Sequence, residues 1–157
     1  MHGEPDATAP SLSSLIWEAP QTLLGAALFG VCKATGRIEA VERHEGRWVS
    51  RVPGIGISLG HYVFYFEGGN PAFPPDPLMR AHELGHTHQS RRLGPLYLPL
   101  VGLPSVGRVA YAFVHLKLTG RRWMGYYDGY PERQADAYGG ISPAMRRAQL
   151  AGEDPFA

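Results

Sequence analysis

Residues 76–95 read D-P-L-M-R-A-H-E-L-G-H-T-H-Q-S-R-R-L-G-P, and this stretch predicts the helix around which the fold is arranged. Asp76 is a favourable N-cap residue. Pro77 suits the first helical position, because the N–H that proline lacks has no partner there. No proline interrupts residues 78–93, and a Gly-Pro pair follows them. We therefore expect a helix over residues 78–93.

The segment before this helix indicates β-structure. Residues 37–42 and 47–52 flank the triplet His44-Glu45-Gly46, which predicts a hairpin. Residues 57–66 are rich in aromatic and β-branched side chains, so we expect them to form the best strand of the protein. Because no helix separates these three strands, they predict a small antiparallel sheet.

Helices are predicted on both sides of these strands. Residues 11–31 indicate one or two helical segments, and residues 106–118 predict a buried helix. Pro131 begins a short helix that ends at two glycines, and Ser142 caps a last helix. The expected fold class is therefore α+β, a small antiparallel sheet packed with helices.

Length and composition limit the domain organisation. With 157 residues, of which 44% are hydrophobic and 18% charged, the chain has enough material for one globular domain. We expect residues 1–10 to form a flexible tail and residues 11–157 a single domain. The net charge of +1 gives no general attraction to nucleic acid or to an anionic membrane. The first residues lack the cationic start of a secretory signal, so the expected location is the cytoplasm.

The pentapeptide H-E-L-G-H at residues 82–86 carries the predicted chemistry. With about 3.6 residues per turn, His82 and His86 lie on one helical face, one turn apart. Two neutral imidazole nitrogens at this spacing can bind one Zn²⁺ at about 2.0–2.1 Å. Glu83 points to the side, where it can act as the general base on a water at the metal. Because Cys32 is the single cysteine, the rest of a metal site must come from histidines and carboxylates.

A later segment, Y-P-E-R-Q-A-D at residues 130–136, offers the third ligand. Glu132 and Asp136 are four residues apart and share a helical face. One carboxylate can bind the metal while the other accepts the free N–H of a ligating histidine. We favour Glu132 as the ligand, because its longer side chain spans more of the gap between two helices. Of the tyrosines that precede this helix, we take Tyr130 as the catalytic candidate, a donor to a developing oxyanion.

On these residues the chain resembles the zincin metallopeptidases, and within them the gluzincins. That family pairs H-E-x-x-H with a Glu on a later helix, often followed four residues on by an Asp. The resemblance implies a minimal zincin-like metallopeptidase domain that hydrolyses a peptide or protein substrate. Its implied site residues are the zinc ligands His82, His86 and Glu132, the base Glu83, and Asp136 as the partner of a ligating histidine.

Two narrower resemblances accompany this one. Over about residues 57–140 the chain is similar to a group of small bacterial proteins that carry H-E-x-G-H-x-x-Q-S followed by L-G-P-L-Y-L. These runs stand here at residues 82–90 and 93–98. Residues 136–139 also resemble the D-x-x-Y-G element of the aspzincins, with one residue fewer. Asp136 therefore stays open as an alternative third ligand.

Two other functions stay open alongside hydrolysis. The same ligands can form a non-catalytic zinc site if a fourth protein ligand closes it. Alternatively, residues 95–114, in which Arg108 is the one charged residue, can contact a membrane surface or a partner. Three prolines in this stretch argue against a straight spanning helix.

Overall fold

The computed structural model describes residues 9–157, so the tail predicted over residues 1–10 lies almost wholly outside the described residues. The described part combines α-helices with one four-stranded sheet, which confirms the α+β class. The helices are α1 (Leu12–Trp17), α2 (Ala19–Ala34), α3 (Met79–Leu93), α4 (Leu103–Thr119), α5 (Glu132–Tyr138) and α6 (Pro143–Ala151). The strands are β1 (Ala40–His44), β2 (Arg47–Arg51), β3 (Ile57–Leu59) and β4 (Tyr62–Tyr65).

The sheet is mixed, with the order β1-β2-β4-β3. β1 and β2 form the predicted hairpin, and β3 pairs with β4 in the antiparallel sense. The central pair, β2 with β4, is parallel. The prediction of a purely antiparallel sheet was therefore wrong at its centre. The chain leaves β2 and passes to the edge of the sheet as β3. It then turns back and forms β4 between β2 and β3, running in the same direction as β2.

The single strand predicted over residues 57–66 was also wrong, because a tight turn divides it. Gly60 and His61 form this turn between β3 and β4. Gly60 has a φ of 60°, a conformation that other residues rarely adopt. A Cβ at this position would also collide with the side chain and backbone of Thr22 on α2. The turn thus depends on glycine and on the position of α2.

The hydrophobic core lies between α2 and the sheet. Cys32, Val52 and Phe64 form its fully buried centre, and partly buried side chains such as Leu28 surround them. Val63, next to Phe64 on β4, is fully buried as well. Successive strand residues face opposite sides of a sheet, so β4 is covered on both sides. Both α2 and α3 contact β3 and β4, and this contact holds α3 against the sheet.

α4 differs from its prediction in burial. A helix forms over the expected residues and extends from Leu103 to Thr119, but Ala112 is its one buried residue. The prediction of a buried helix was therefore wrong. Two irregular turns precede α4, a 3₁₀ turn at Gly94–Leu96 and a π-helical turn at Leu98–Gly102. These turns accommodate the prolines of that region. Within residues 9–157, the helices are too short or too polar for any of them to cross a bilayer.

Candidate metal centre

The two histidines of α3 meet one carboxylate of α5. The Nε2 atoms of His82 and His86 lie 3.0 and 3.2 Å from the same oxygen, Oε2 of Glu132. All three side chains are buried, and their ligand atoms lie within 4.8 Å of one another. Atoms that share a tetrahedral zinc at about 2.0–2.1 Å stand at comparable separations. The one-turn spacing on α3 and the first residue of α5 therefore produce a compact group of two nitrogens and one oxygen.

Two glycines allow α5 to approach α3 this closely. A Cβ on Gly85 would lie 1.9 Å from the backbone oxygen of Ala135 on α5. A Cβ on Gly139, just after α5, would lie 2.3 Å from the backbone oxygen of Ala81 on α3. Because neither glycine has a side chain, the two backbones touch. This close contact brings Glu132 within reach of both imidazoles.

The Nδ1 atom of each imidazole contacts a second polar group, which orients the ring. Nδ1 of His82 lies 2.7 Å from Oδ1 of Asp136, and Nδ1 of His86 lies 2.7 Å from Oε1 of Gln89. The Nε2 amide of Gln89 donates to the carbonyl of Pro131 and to Gln134, which directs its oxygen to His86. A carboxylate and an amide oxygen accept hydrogen bonds, so both Nδ1 atoms carry the proton. When a ring carries its proton on Nδ1 alone, its Nε2 lone pair is directed at Glu132.

The centre consequently attracts a cation. In the neutral rings, two nitrogen lone pairs face a carboxylate oxygen, and three acceptors cannot bond one another without a positive charge between them. Without a bound metal, a proton on Nε2 of His82 supplies this charge: burial by itself lowers the pKa of His82, but its hydrogen bonds to Asp136 and Glu132 outweigh burial and raise it to about 10. Burial likewise works against ionised Glu132, but hydrogen bonds from the two histidines hold the pKa of Glu132 far below its usual range.

The other oxygen of Glu132 supports the same interpretation. Oε1 is buried and has no hydrogen-bond partner within residues 9–157. A buried carboxylate oxygen without a partner is costly, so such an atom is a position that a bound ion or an ordered water can satisfy. Two imidazole nitrogens and a carboxylate are a ligand set that zinc accepts in catalytic sites. His82, His86 and Glu132 therefore fit the metal that the motif predicts.

Glu83 lies beside this group and does not join it. Its carboxylate is buried, and the Ser58 hydroxyl is 3.0 Å from Oε2 of Glu83 and 2.5 Å from its backbone oxygen. Burial raises the pKa of Glu83 and outweighs the opposing charges of the two histidines. A carboxylate with a raised pKa binds a proton more readily than an ordinary surface glutamate does.

A buried ionic network holds Asp136 in place behind His82. Arg146 of α6 donates to both oxygens of Asp136, at 2.6 and 2.9 Å, and to Oδ2 of Asp76, at 2.7 Å. Tyr127 donates to the same oxygen of Asp76, and its ring lies under the Arg146 guanidinium at 3.6 Å. The prediction of Asp76 as the N-cap was wrong, because α3 begins at Met79 and its N-cap is Leu78. Asp76 instead accepts from the backbone N–H of Leu78 and takes part in this network.

Two cavities meet at Glu83. The larger, of about 190 Å³, is lined by His82 and Glu83 together with apolar side chains that include Phe73, Met79 and Phe113. The smaller, of about 70 Å³, lies on the other side and includes His86 and Glu83. Glu83 therefore lines both cavities, one shared with His82 and the other with His86.

The predicted site residues fall into two groups. The structure brings together five of them: His82, Glu83, His86, Glu132 and Asp136. Tyr130 is not among them, since 52% of it is exposed and it lines neither cavity. Tyr126 is buried and lines both cavities instead. Burial and the negative charge of Glu132 raise the pKa of Tyr126, so its phenol stays protonated.

Sequence reasoning gave no role to two further residues of the centre. Gln89 stands three positions after His86, a spacing at which helical side chains meet, and this spacing was a usable signal. Arg146 had no such signal, because it is 10 residues from Asp136 and 70 residues from Asp76 in the chain. Comparisons with known protein families, curated proteins and solved structures give no match to this chain. The interpretation of the centre therefore rests on its own geometry.

Proposed function

We propose that this chain is a zinc-dependent metallopeptidase that uses His82, His86 and Glu132 as metal ligands. One observation carries the proposal. A buried glutamate with a raised pKa lies beside a convergent set of two imidazoles and a carboxylate, and it faces both cavities. A purely structural zinc site has no need of this extra carboxylate. Hydrolysis requires it as a base.

The chain's own residues divide the reaction between them. A bound zinc would lower the pKa of a water molecule and polarise a substrate carbonyl. Glu83 takes the proton from the attacking water and returns it to the leaving amine nitrogen. Asp136 and Gln89 hold the two imidazoles in orientation throughout. Tyr126, a protonated phenol in both cavities, is the donor available to the developing oxyanion.

The larger cavity suggests which substrates bind. Its walls beside Glu83 are formed by aromatic and aliphatic side chains, among them Phe66, Phe73, Met79 and Phe113. Such a cavity favours a bulky apolar side chain, because burial of apolar surface is favourable by roughly 25 cal/mol per Å². We therefore propose peptides with a large apolar residue next to the cleaved bond.

The test combines metal analysis with hydrolysis of a peptide library. Wild-type protein dialysed against trace zinc should retain about one zinc per chain, and the double variant His82→Ala/His86→Ala should retain none. Glu83→Gln keeps the shape of the side chain but cannot accept a proton. It should keep zinc and lose hydrolysis by at least roughly 10²–10⁴-fold. Equal zinc content in wild type and double variant would refute the metal site, and an active Glu83→Gln variant would refute the base.

A non-catalytic zinc site is the second candidate. The observation that favours it is burial, since His82, His86 and Glu132 expose only 2%, 4% and 0% of their surface. If a fourth protein ligand closes the site, bound zinc stabilises the fold without turnover. Zinc bound at one per chain, with no cleavage of any library peptide, would select this candidate over the peptidase.

A further inference from the structure

The outward face of α4 is apolar. Leu103 and Leu118, near the two ends of the helix, have 70% and 79% of their surface exposed, and Val106 and Val114 are exposed between them. With about 3.6 residues per turn, these four side chains share one face. Surface helices ordinarily direct such a face inward, to the core. On α4, the apolar side chains of the kind that usually pack in a core are instead directed outward.

The inner side of α4 makes polar contacts. Arg108 donates to the backbone oxygens of Gly125 and Tyr126, at 2.6 and 2.8 Å, and its guanidinium lies 5.0 Å from the centre of the Trp123 ring. These contacts attach α4 to the loop that leads to α5. They orient the helix so that its apolar face remains on the outside. A contiguous apolar surface of this kind marks an interaction site.

The charged residues of α4 and of the sequence next to it have one sign. From residue 84 to residue 127 the sequence contains no Asp or Glu. Lys117 lies at the C-terminal end of the apolar face, and Arg121 and Arg122 follow it, all three exposed. Asp128, the next acidic residue, belongs to the 3₁₀ turn Tyr126–Asp128, which contacts α4 on the Arg108 side. Apolar side chains beside exposed cations match an anionic lipid surface.

We propose that the outward face of α4 docks onto an anionic phospholipid membrane. The apolar side chains enter the boundary between headgroups and acyl chains, and the three cations contact lipid phosphates. A second copy of the chain fits less well, because its residues 84–127 offer no acidic side chain to these cations, whereas lipid phosphates do. α4 also contributes Val109 and Phe113 to the larger cavity, so docking would hold that cavity close to the lipid surface.

Vesicle flotation of the whole chain tests the proposal. The protein should float with phosphatidylcholine vesicles that contain phosphatidylglycerol and should remain in solution with phosphatidylcholine alone. Leu103→Glu/Leu118→Glu should weaken binding at least about tenfold, because it removes two apolar anchors. Lys117→Glu and Arg121→Glu should each weaken it roughly fivefold. The matched control is Leu23→Glu/Val31→Glu on α2, whose side chains are 70% and 60% exposed and which should float as wild type does.

Four outcomes would overturn the proposal. They are equal flotation with neutral vesicles, no flotation of the wild type, unchanged flotation of Leu103→Glu/Leu118→Glu, and loss of flotation in the α2 control. Dimers in sedimentation analysis that the α4 variant abolishes, without flotation of the wild type, would assign the face to a second copy instead. All substituted side chains are exposed, so circular dichroism spectra matching the wild type should accompany each comparison.

Discussion

The helix pair α3–α5 and the helix α4 distribute polarity in opposite ways. α3 buries seven residues, none of them a large apolar side chain: His82, Glu83, Gly85, His86, Thr87, Gln89 and Ser90. α4 buries only Ala112 and exposes Leu103, Val106, Tyr111, Phe113, Val114 and Leu118. One helix thus brings polar groups into the interior, and the other leaves apolar groups outside.

The two regions show that hydropathy does not by itself decide burial in this chain. A buried polar group without a partner costs about 1–3 kcal/mol, and the polar side chains of α3 avoid much of this cost by bonding one another and α5. α4 has no comparable compensation within the described residues. Departures from the usual pattern are expected at functional sites. The two departures coincide with the two proposed sites, the metal centre at α3–α5 and the membrane-docking face of α4.

Substitution of Arg146 should have the largest effect, a loss of stability in the polar α3–α5 region. Arg146→Met removes the guanidinium that pairs with both Asp136 and Asp76. Both buried carboxylates then lose their arginine partner. Breaking a buried ion pair in this way should lower the free energy of unfolding by about 3–5 kcal/mol. Urea denaturation measures the loss. Arg147→Met, at the neighbouring exposed position, is the control and should change stability by no more than about 0.5 kcal/mol. Equal losses would show that the network does not stabilise the α3–α5 region.

The next effect separates the two carboxylates of α5. Glu132→Ala should reduce zinc affinity by more than about 100-fold, because it removes the carboxylate oxygen that lies next to Nε2 of both histidines. Asp136→Asn should reduce the affinity by about 10–100-fold, because it disturbs the orientation of His82 but removes no ligand atom. A competitive chelator titration gives both values. Glu153→Ala, which removes an exposed carboxylate, should leave the affinity unchanged. The reverse order of the two α5 variants would make Asp136 the third ligand.

The smallest expected effect compares a glycine of α3 with a glycine of α4. Gly85→Ala should destabilise the protein by about 1–3 kcal/mol, because the new Cβ meets the Ala135 backbone. A Cβ on Gly107 meets nothing within 4 Å. Gly107→Ala should therefore stabilise the helix by about 0.5–1 kcal/mol. Thermal unfolding should show shifts of opposite sign. Shifts of the same sign would contradict the difference in packing between the two helices.

Features that depend on neighbouring residues were predictable from the sequence. α3 begins at Met79, one residue after the predicted start, and ends at the predicted Leu93. The Ser142 side chain caps α6 by accepting from the N–H of Met145. The one-turn spacing of His82 and His86 follows from helical geometry alone, and it brings the two rings together. Each of these features depends on contacts within about four residues, which a linear pattern contains.

Features that depend on distant residues required the tertiary structure. The parallel pairing of β2 with β4 follows from the turn at Gly60, which is supported by α2. The contribution of Arg146 follows from the docking of α6 near Asp76 and Asp136. The exposure of α4 follows from the inward attachment of Arg108.

The sequence by itself therefore determined the α+β class, the positions of the main helices and the pair of imidazoles on one face of α3. The tertiary structure decided that Glu132 meets both imidazoles, that Tyr126 rather than Tyr130 lines the cavities, and that the apolar face of α4 lies outside. Helical periodicity is a local property of the backbone. The distance between two side chains on different helices is instead set by how their backbones pack, here by the contact at Gly85.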